Sequence, residues 1–292
     1  MNDLQKYLST YLFATATLFA GASPAWAQVP LGAVSKFAVL GGTNVTCTAG
    51  VVAGDVGVSP GSAVAFTNTD CTIAGATPPA TNAAAAQART AFLSVYAGLQ
   101  LQSRSCTQMP GTTLAGLNLA PGVYCLDAVA KTGTLTLTGP TDGVWIFLVD
   151  GAFTGTDFSV VMAGGGQPCN VFWSPSGTAT LTTSALKGNI LAGDATLGSI
   201  TLTGGTLAGR ALANGAVTMT GVSVIGCNAL SGRASCKAKK RHGHDGDKEH
   251  KKCNQSAGTN AEGCDRVHSD QHHSSESSDE HGGMRDRKDD DK

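Results

Sequence analysis

Threonine pairs separated by one residue recur along this chain at a fixed spacing. Thr180 and Thr182 return 21 residues later as Thr201 and Thr203. Alternate residues of a β-strand point the same way about 6.6 Å apart, and neighbouring strands lie about 4.8 Å apart, so such pairs would form a grid of hydroxyl and methyl groups. Because β-branching restricts the threonine rotamer, the grid would be rigid. The spacing therefore predicts a flat surface of fixed hydroxyl groups.

The carboxylates of the central region do not form a recognisable catalytic pattern. Residues 28–235 contain seven aspartates but no glutamate and no histidine, whereas hydrolytic or lyase chemistry needs two positioned carboxylates or a base beside them. Asp55 and Asp194 each follow Ala-Gly, and Asp142 and Asp150 each precede glycine, a setting typical of Asx turns. We expect no catalytic residue, cofactor or metal site there, although a spatial carboxylate pair stays open.

The same region carries very little charge. Seven lysines and arginines and seven aspartates are spread over 208 residues, against roughly one charged residue in four for ordinary globular domains. A surface so poor in cations does not attract a polyanion. We therefore expect no nucleic-acid partner.

The threonine pairs belong to a longer repeat over residues 179–213, in which Leu186 returns as Leu207 and Gly188 as Gly209. Self-similarity with β-type alternation indicates a solenoid, whose units bury their apolar faces only when stacked. Twenty-one residues divide into three strands of about five to seven residues, so the simplest cross-section is triangular. Apolar runs bounded by turn residues predict further strands at 37–40, 51–58, 63–66, 123–126, 134–138, 144–149, 158–162, 171–173, 217–220 and 222–225.

An alanine-rich stretch predicts one long helix over about residues 79–101. Thr77 suits the cap and Pro78 the first turn. A helix of this length would be roughly 33 Å long and would span about seven coils, so we expect it to brace the solenoid. Its predicted apolar stripe comprises Ala84, Ala88, Ala91, Val95 and Leu99, with Phe92 and Tyr96 beside it.

The two ends of the chain differ from the middle. Lys6, the apolar run 11–20 and Ala25-Trp26-Ala27 predict a signal peptide over 1–27. A retained membrane anchor is the alternative, but the run is shorter than the roughly 20 residues that a spanning helix needs. We expect a secreted, extracellular or cell-surface protein without stable membrane insertion.

Residues 236–292 contain all seven histidines of the chain but no Phe, Trp, Tyr, Ile or Pro. This composition predicts a disordered, charged tail, leaving 28–235 as a single domain. The histidines offer metal ligands, but their spacing matches no closed zinc site.

Six cysteines lie in the predicted domain. An exported chain keeps its disulfides, and six cysteines allow 15 pairings. Local spacing favours one set, in which Cys47 pairs with Cys71, Cys106 with Cys125 and Cys169 with Cys227.

Several segments resemble the type 1 ice-binding proteins, the DUF3494 family, over about residues 31–228. Their order, divided by the alanine-rich helix, also matches. The resemblance implies an all-β fold with one long helix, an irregular triangular β-solenoid flanked by that helix. The similar segments are 35–42, 54–61, 119–124, 144–147, 170–173 and 188–192.

The resemblance also implies that a flat threonine face binds an ice crystal surface and limits ice growth or recrystallisation. Continuing the 21-residue period replaces the threonine pair by Ser159 and Val161 on one side and by Val222 and Val224 on the other, so we expect a small regular patch. The primary candidates are Thr180, Thr182, Thr201 and Thr203, and the further candidates are Thr134, Thr136, Thr138, Thr178, Thr218 and Thr220.

Two other classes compete with this interpretation. A stiff, nearly neutral rod followed by a charged tail would also suit an adhesion module that binds an extracellular glycan or surface. An enzyme is the second competitor, because parallel β-helices host polysaccharide lyases and hydrolases. A freezing-point gap with crystal shaping favours ice, whereas selective retention on a glycan favours adhesion.

Overall fold

The computed structural model describes residues 29–60, 65–196 and 198–233. The predicted signal peptide and the predicted tail lie outside the described residues, and their boundaries stay predictions. Within the described ranges, no helix is both long and apolar enough to cross a membrane.

Three parallel sheets form the sides of the predicted solenoid. The helix-side sheet has eight strands in the spatial order β4 (Asp55–Val58), β1 (Phe37–Gly41), β20 (Ala211–Ala213), β17 (Asn189–Ala192), β14 (Val171–Pro175), β11 (Trp145–Asp150), β9 (Gly122–Asp127) and β7 (Thr107–Met109). The threonine sheet has six strands in the order β12 (Phe153–Thr156), β15 (Ala179–Thr182), β18 (Ile200–Thr203), β21 (Val217–Thr220), β2 (Val45–Thr48) and β5 (Phe66–Thr69). The third sheet is called the mixed sheet because its outward positions carry mixed residue types; its strands are all parallel. It has eight strands in the order β6 (Thr72–Ile73), β3 (Val51–Ala53), β22 (Ser223–Ile225), β19 (Thr206–Ala208), β16 (Ala185–Lys187), β13 (Ser159–Ala163), β10 (Thr134–Thr138) and β8 (Asn118–Leu119).

The coils do not stack in chain order. The N-terminal coil, β1 to β3, pairs in parallel with the last coil, β20 to β22, so that Val45 lies opposite Val217 and Val52 opposite Val224. The coil β4 to β6 then stacks on the N-terminal coil. Every sheet therefore contains a seam between residues from opposite ends of the chain.

Strand alternation builds the interior. Inward side chains of the three sheets form one continuous apolar core, because residues i and i+2 of a strand share a face. Trp173 lies in this core and is fully buried. Its ring stacks on Phe147 at 4.1 Å and on Phe153 at 4.8 Å between ring centroids. The indole nitrogen donates to the Lys187 carbonyl oxygen at 2.9 Å, so the buried Trp173 side chain leaves no polar atom unpaired.

The long helix, α1 (Asn82–Gln100), packs on the outer face of the helix-side sheet, as a brace would. It begins three residues later than predicted, because residues 78–81 form a turn before the first helical residue, Asn82. The predicted apolar stripe is confirmed at Ala88 and Leu99, and Phe92 beside it is also buried, but it was wrong at Ala84, which is exposed while Ala85 is buried. The short helix α2 (Cys227–Arg233) follows β22, and 3-10 helices cover Gly32–Lys36, Leu101–Arg104 and Pro168–Asn170.

Among the residues that the structure describes there are three disulfides, and they have the pairing that local spacing favoured. Cys47 joins Cys71 with 6.0 Å between their Cα atoms, Cys106 joins Cys125 at 5.6 Å, and Cys169 joins Cys227 at 5.7 Å. The first disulfide links the coil β1 to β3 with the coil β4 to β6. The last links α2 to the 3-10 helix Pro168–Asn170, which directly precedes β14. Structural disulfides persist in oxidising compartments outside the cytosol.

The corner between the mixed and helix-side sheets depends on Gly209. Its φ is +154°, and a Cβ atom there would lie 1.9 Å from the Gly188 carbonyl oxygen. We expect Gly209→Ala to lower the free energy of unfolding by about 3 kcal/mol or more, because backbone strain and a backbone clash act together. Urea denaturation measures this loss.

Gly98→Ala is the control for that substitution. Gly98 lies in α1, and a Cβ atom there meets nothing within 4 Å. We expect it to stabilise the protein by about 0.5–1 kcal/mol. Equal effects of the two substitutions would contradict the assigned role of the corner.

Candidate functional site

Every strand of the threonine sheet carries two outward threonines, and these side chains fall into two straight columns. The pairing is in register across all six strands, without a bulge. The columns therefore form a grid of two by six threonines, the threonine array. One column contains Thr154, Thr180, Thr201, Thr218, Thr46 and Thr67, and the other contains Thr156, Thr182, Thr203, Thr220, Thr48 and Thr69.

Apolar residues between the threonines hold the array in place. Leu181, Leu202 and Met219 point inward from the three central strands and are at most 4% exposed. The threonines on either side are exposed or half-buried. Because a slip of one residue would turn the apolar set outward, burial of the core fixes the register of the outer grid.

A third, less regular column borders the array at its N-terminal edge. The Phe153 amide donates to the Thr178 carbonyl oxygen at 2.8 Å, and the Ala179 amide donates to that of Ser199 at 2.9 Å. The ladder thus begins one residue before the strands. This column contains small or polar residues, namely Ala152, Thr178, Ser199, Ala216 and Asn44.

The opposite edge of the array ends at one backbone position in every coil. The residue after each second threonine has a left-handed conformation, with φ between 47° and 63°. All six strands therefore turn at the same level, and the array has a straight boundary. The turning residues are Asp157, Thr183, Gly204, Gly221, Ala49 and Asp70.

Electrostatically, the grid itself is neutral, and charge lies only beside it. The Asp157 carboxylate at the left-handed corner accepts a hydrogen bond from the Thr183 hydroxyl. Asp70 occupies the equivalent corner at the end of β5. The twelve array side chains thus present hydroxyl and methyl groups alone.

Six of the predicted threonines lie in the array, namely Thr180, Thr182, Thr201, Thr203, Thr218 and Thr220. Thr178 lies in the third column. Thr134, Thr136 and Thr138 lie on β10 of the mixed sheet instead, so they do not extend the rows.

The expectation of a small patch was wrong. Ser159, Val161, Val222 and Val224 lie in or next to strands of the mixed sheet, not beside the threonine pairs. The fixed period fails because the coils differ in length: Thr182 follows Thr156 by 26 residues, and Thr220 follows Thr203 by 17.

Sequence reasoning missed half of the array. The only signal was the Thr-x-Thr pattern itself, which also occurs in β10, where it lies on another face. The missed residues are Thr46, Thr48, Thr67, Thr69, Thr154 and Thr156.

The mixed sheet shows how unusual the array is within the same molecule. One outward column there reads Thr134, Ser159, Ala185, Thr206 and Ser223. The neighbouring column includes Lys187, and Val161 is 46% exposed. The Thr138 hydroxyl also donates to the Asn118 side-chain oxygen at 2.8 Å. No column described on this face is threonine throughout.

A carboxylate pair does occur, in a cleft of about 410 Å³ beside the end of α1. Asp127 of β9 lies opposite Asp150 of β11. The Asp127 carboxylate accepts the Gly111 amide at 2.5 Å, and this hydrogen bond lowers the pKa of Asp127. The more occluded carboxylate is thus engaged as an ionised acceptor in a turn.

Metal-ligating side chains are sparse in the part of the chain that the structure describes. There, no group of three or more His, Cys, Asp and Glu residues could hold a metal ion. The cysteines of the described domain are joined in disulfides.

Three parallel sheets, a bracing helix and one face with threonines in register define a class of helix-flanked β-solenoid. The family model for ice-binding-like proteins matches residues 39–225, and the chain belongs to this family.

Curated relatives and solved structures agree with this assignment. An ice-binding protein of Nostoc sp. is 36% identical over 167 residues, covering 55% of this chain and 60% of the relative. One of Flavobacterium frigoris is 30% identical over 177 residues, covering 56% and 64%. The chain thus aligns with less than two thirds of either relative's length. The crystal structure of an ice-binding protein from an Antarctic biological consortium has a TM-score of 0.60 and 31% identity, covering 68% of this chain and 90% of that one.

Proposed function

We propose that this protein binds ice through the threonine array and thereby limits ice growth or recrystallisation. The observation that carries the proposal is the unbroken register of paired threonines over six strands. The proposed binding residues are the twelve array threonines, with Thr178 at their edge.

Rigidity supports the array as the binding site. The strand spacing of about 4.8 Å and the alternation of about 6.6 Å are fixed by backbone hydrogen bonds. The threonine rotamer is restricted by β-branching, so little conformational entropy is lost when the surface meets an ordered lattice. Both the spacing and the orientation of the hydroxyl groups are therefore set before binding.

Chemistry supports a binding role without catalysis. The array contains no titratable group, and Asp127 in the cleft is engaged by backbone amides. The disulfides and the predicted signal peptide support secretion, so the working compartment we propose is extracellular.

The full-length protein and a single ice crystal provide the test. We expect a gap between the melting and growth temperatures of the crystal, the thermal hysteresis, and a faceted crystal inside that gap. The control is the same protein at the same concentration after reduction, alkylation and unfolding. This treatment keeps the amino-acid composition but destroys the threonine array. A freely growing round crystal in the native protein would contradict the function. Retention on an extracellular glycan without any effect on ice would favour adhesion instead.

A further inference from the structure

One additional segment continues the threonine sheet beyond its outermost strand, β12. Lys131 forms a single parallel bridge with Gly155. The Lys131 amide donates to the Thr154 carbonyl oxygen at 2.8 Å, and the Thr156 amide donates to the Lys131 carbonyl oxygen at 3.2 Å. This bridge places Thr132 at the level of Thr156. Thr132 is exposed, so its side chain continues the second column of the array.

The Lys131 side chain fastens this segment from within. It is fully buried and points inward, because Lys131 is paired with Gly155, an inward-facing position of the adjacent strand. Its ammonium group donates to the Thr112 carbonyl oxygen at 2.9 Å and to the Asp127 carbonyl oxygen at 3.2 Å. The Asp127 carboxylate oxygen Oδ1 lies 3.9 Å away. Burial lowers the pKa of Lys131, and Asp127 partly offsets this.

The neighbouring loop is attached to the same segment. The Thr132 amide donates to the Thr113 carbonyl oxygen at 3.2 Å, and the lysine holds the adjacent residue, Thr112. A buried ammonium without such acceptors would be costly. Its two carbonyl partners therefore fix where residues 131 and 132 lie.

We infer that Thr132 is a seventh-row binding residue of the array and that Lys131 is its positioning residue. This inference rests on the proposed ice-binding function. Thr132 lies at the end of one column, and contacts at the rim of an interface contribute less than those at its centre. Blocking it should therefore weaken ice binding without abolishing it.

Three tyrosine variants of the full-length protein test the assignment of Thr132. We expect Thr132→Tyr to lower the hysteresis roughly twofold, as expected for a rim position. Thr134 lies two residues further along the chain, at an exposed position of the mixed sheet. Thr134→Tyr should therefore leave the hysteresis unchanged. Thr201→Tyr, at the array centre, should abolish it. An unchanged Thr132→Tyr protein beside an inactive Thr201→Tyr protein would overturn this inference alone, whereas an inactive parent would overturn the proposed function.

A double-mutant cycle tests Lys131 as a positioning residue. Lys131→Met keeps an unbranched side chain of similar length but removes the donor. We expect it to lower the hysteresis as Thr132→Tyr does, and to add no further loss in the Thr132→Tyr background, because both substitutions disable the same row. Melting curves verify that each variant is folded at the assay temperature. Losses that add would show that Lys131 acts on the whole fold and would overturn its assigned role.

Discussion

Replacing Thr201 by tyrosine is expected to abolish ice shaping and nearly all hysteresis. Thr201 lies in β18, between Thr180 and Thr218 of the adjacent strands. A phenol ring would stand above the plane of the hydroxyl groups and keep the neighbouring rows from reaching the crystal. Because contacts at the centre of an interface carry most of its energy, the loss should far exceed that of one side chain. Single-crystal hysteresis measures it.

Thr206→Tyr is the matched control. Thr206 is an exposed threonine of β19, the next strand of the same coil, but it lies on the mixed sheet. We expect normal hysteresis for this variant and unchanged melting temperatures for both. An active Thr201→Tyr protein with an inactive Thr206→Tyr protein would move the binding site to the mixed sheet.

Trp173→Ala should cause the largest loss of stability, about 3–5 kcal/mol in the free energy of unfolding. The indole ring is fully buried, stacks on two phenylalanines and contacts Phe158 edge-on. Its removal leaves a cavity and an unpaired Lys187 carbonyl oxygen. Several strands surround the cavity, and the rigid coils cannot collapse into it. Chemical denaturation monitored by circular dichroism measures the change.

Leu101→Ala is the control for the tryptophan. Leu101 is 72% exposed at the end of α1, and its truncation should change the unfolding free energy by no more than about 0.5 kcal/mol. A loss below about 1 kcal/mol for Trp173→Ala would show that the surrounding coils relax and fill the space.

The sequence was sufficient to predict the fold because the regular coils repeat visibly in the sequence. The strands β15 to β17 recur 21 residues later as β18 to β20, so this repeat is visible without coordinates. The 21-residue unit predicted the triangular section and the alanine-rich stretch predicted the flanking helix, and the family resemblance agreed with both. The helix start was misjudged because the residues that suit a cap, Thr77 and Pro78, precede a segment that does not turn into a helix until Asn82.

The candidate site could be predicted only in part, for two physical reasons. Strands such as β2 and β12 have cysteine or glycine between their threonines, so their hydrophobic signal is weak. Strand pairing across the seam, such as Thr46 beside Thr218, joins residues that no local pattern relates. The threonines of β10 have the same Thr-x-Thr spacing, and only the pairing of β10 with β13 assigns them to the mixed sheet.

The seam also dictates when the working surface becomes complete during synthesis. β2 and β5 are synthesised early; β5 pairs with β2, but β2 must pair with β21, the second-last strand that the structure describes. Long-range parallel pairing of this kind closes slowly. The first two coils must therefore wait, with unpaired edges, for the rest of the domain. A nascent chain stalled before residue 217 would hold both halves of the threonine array and have no means of joining them.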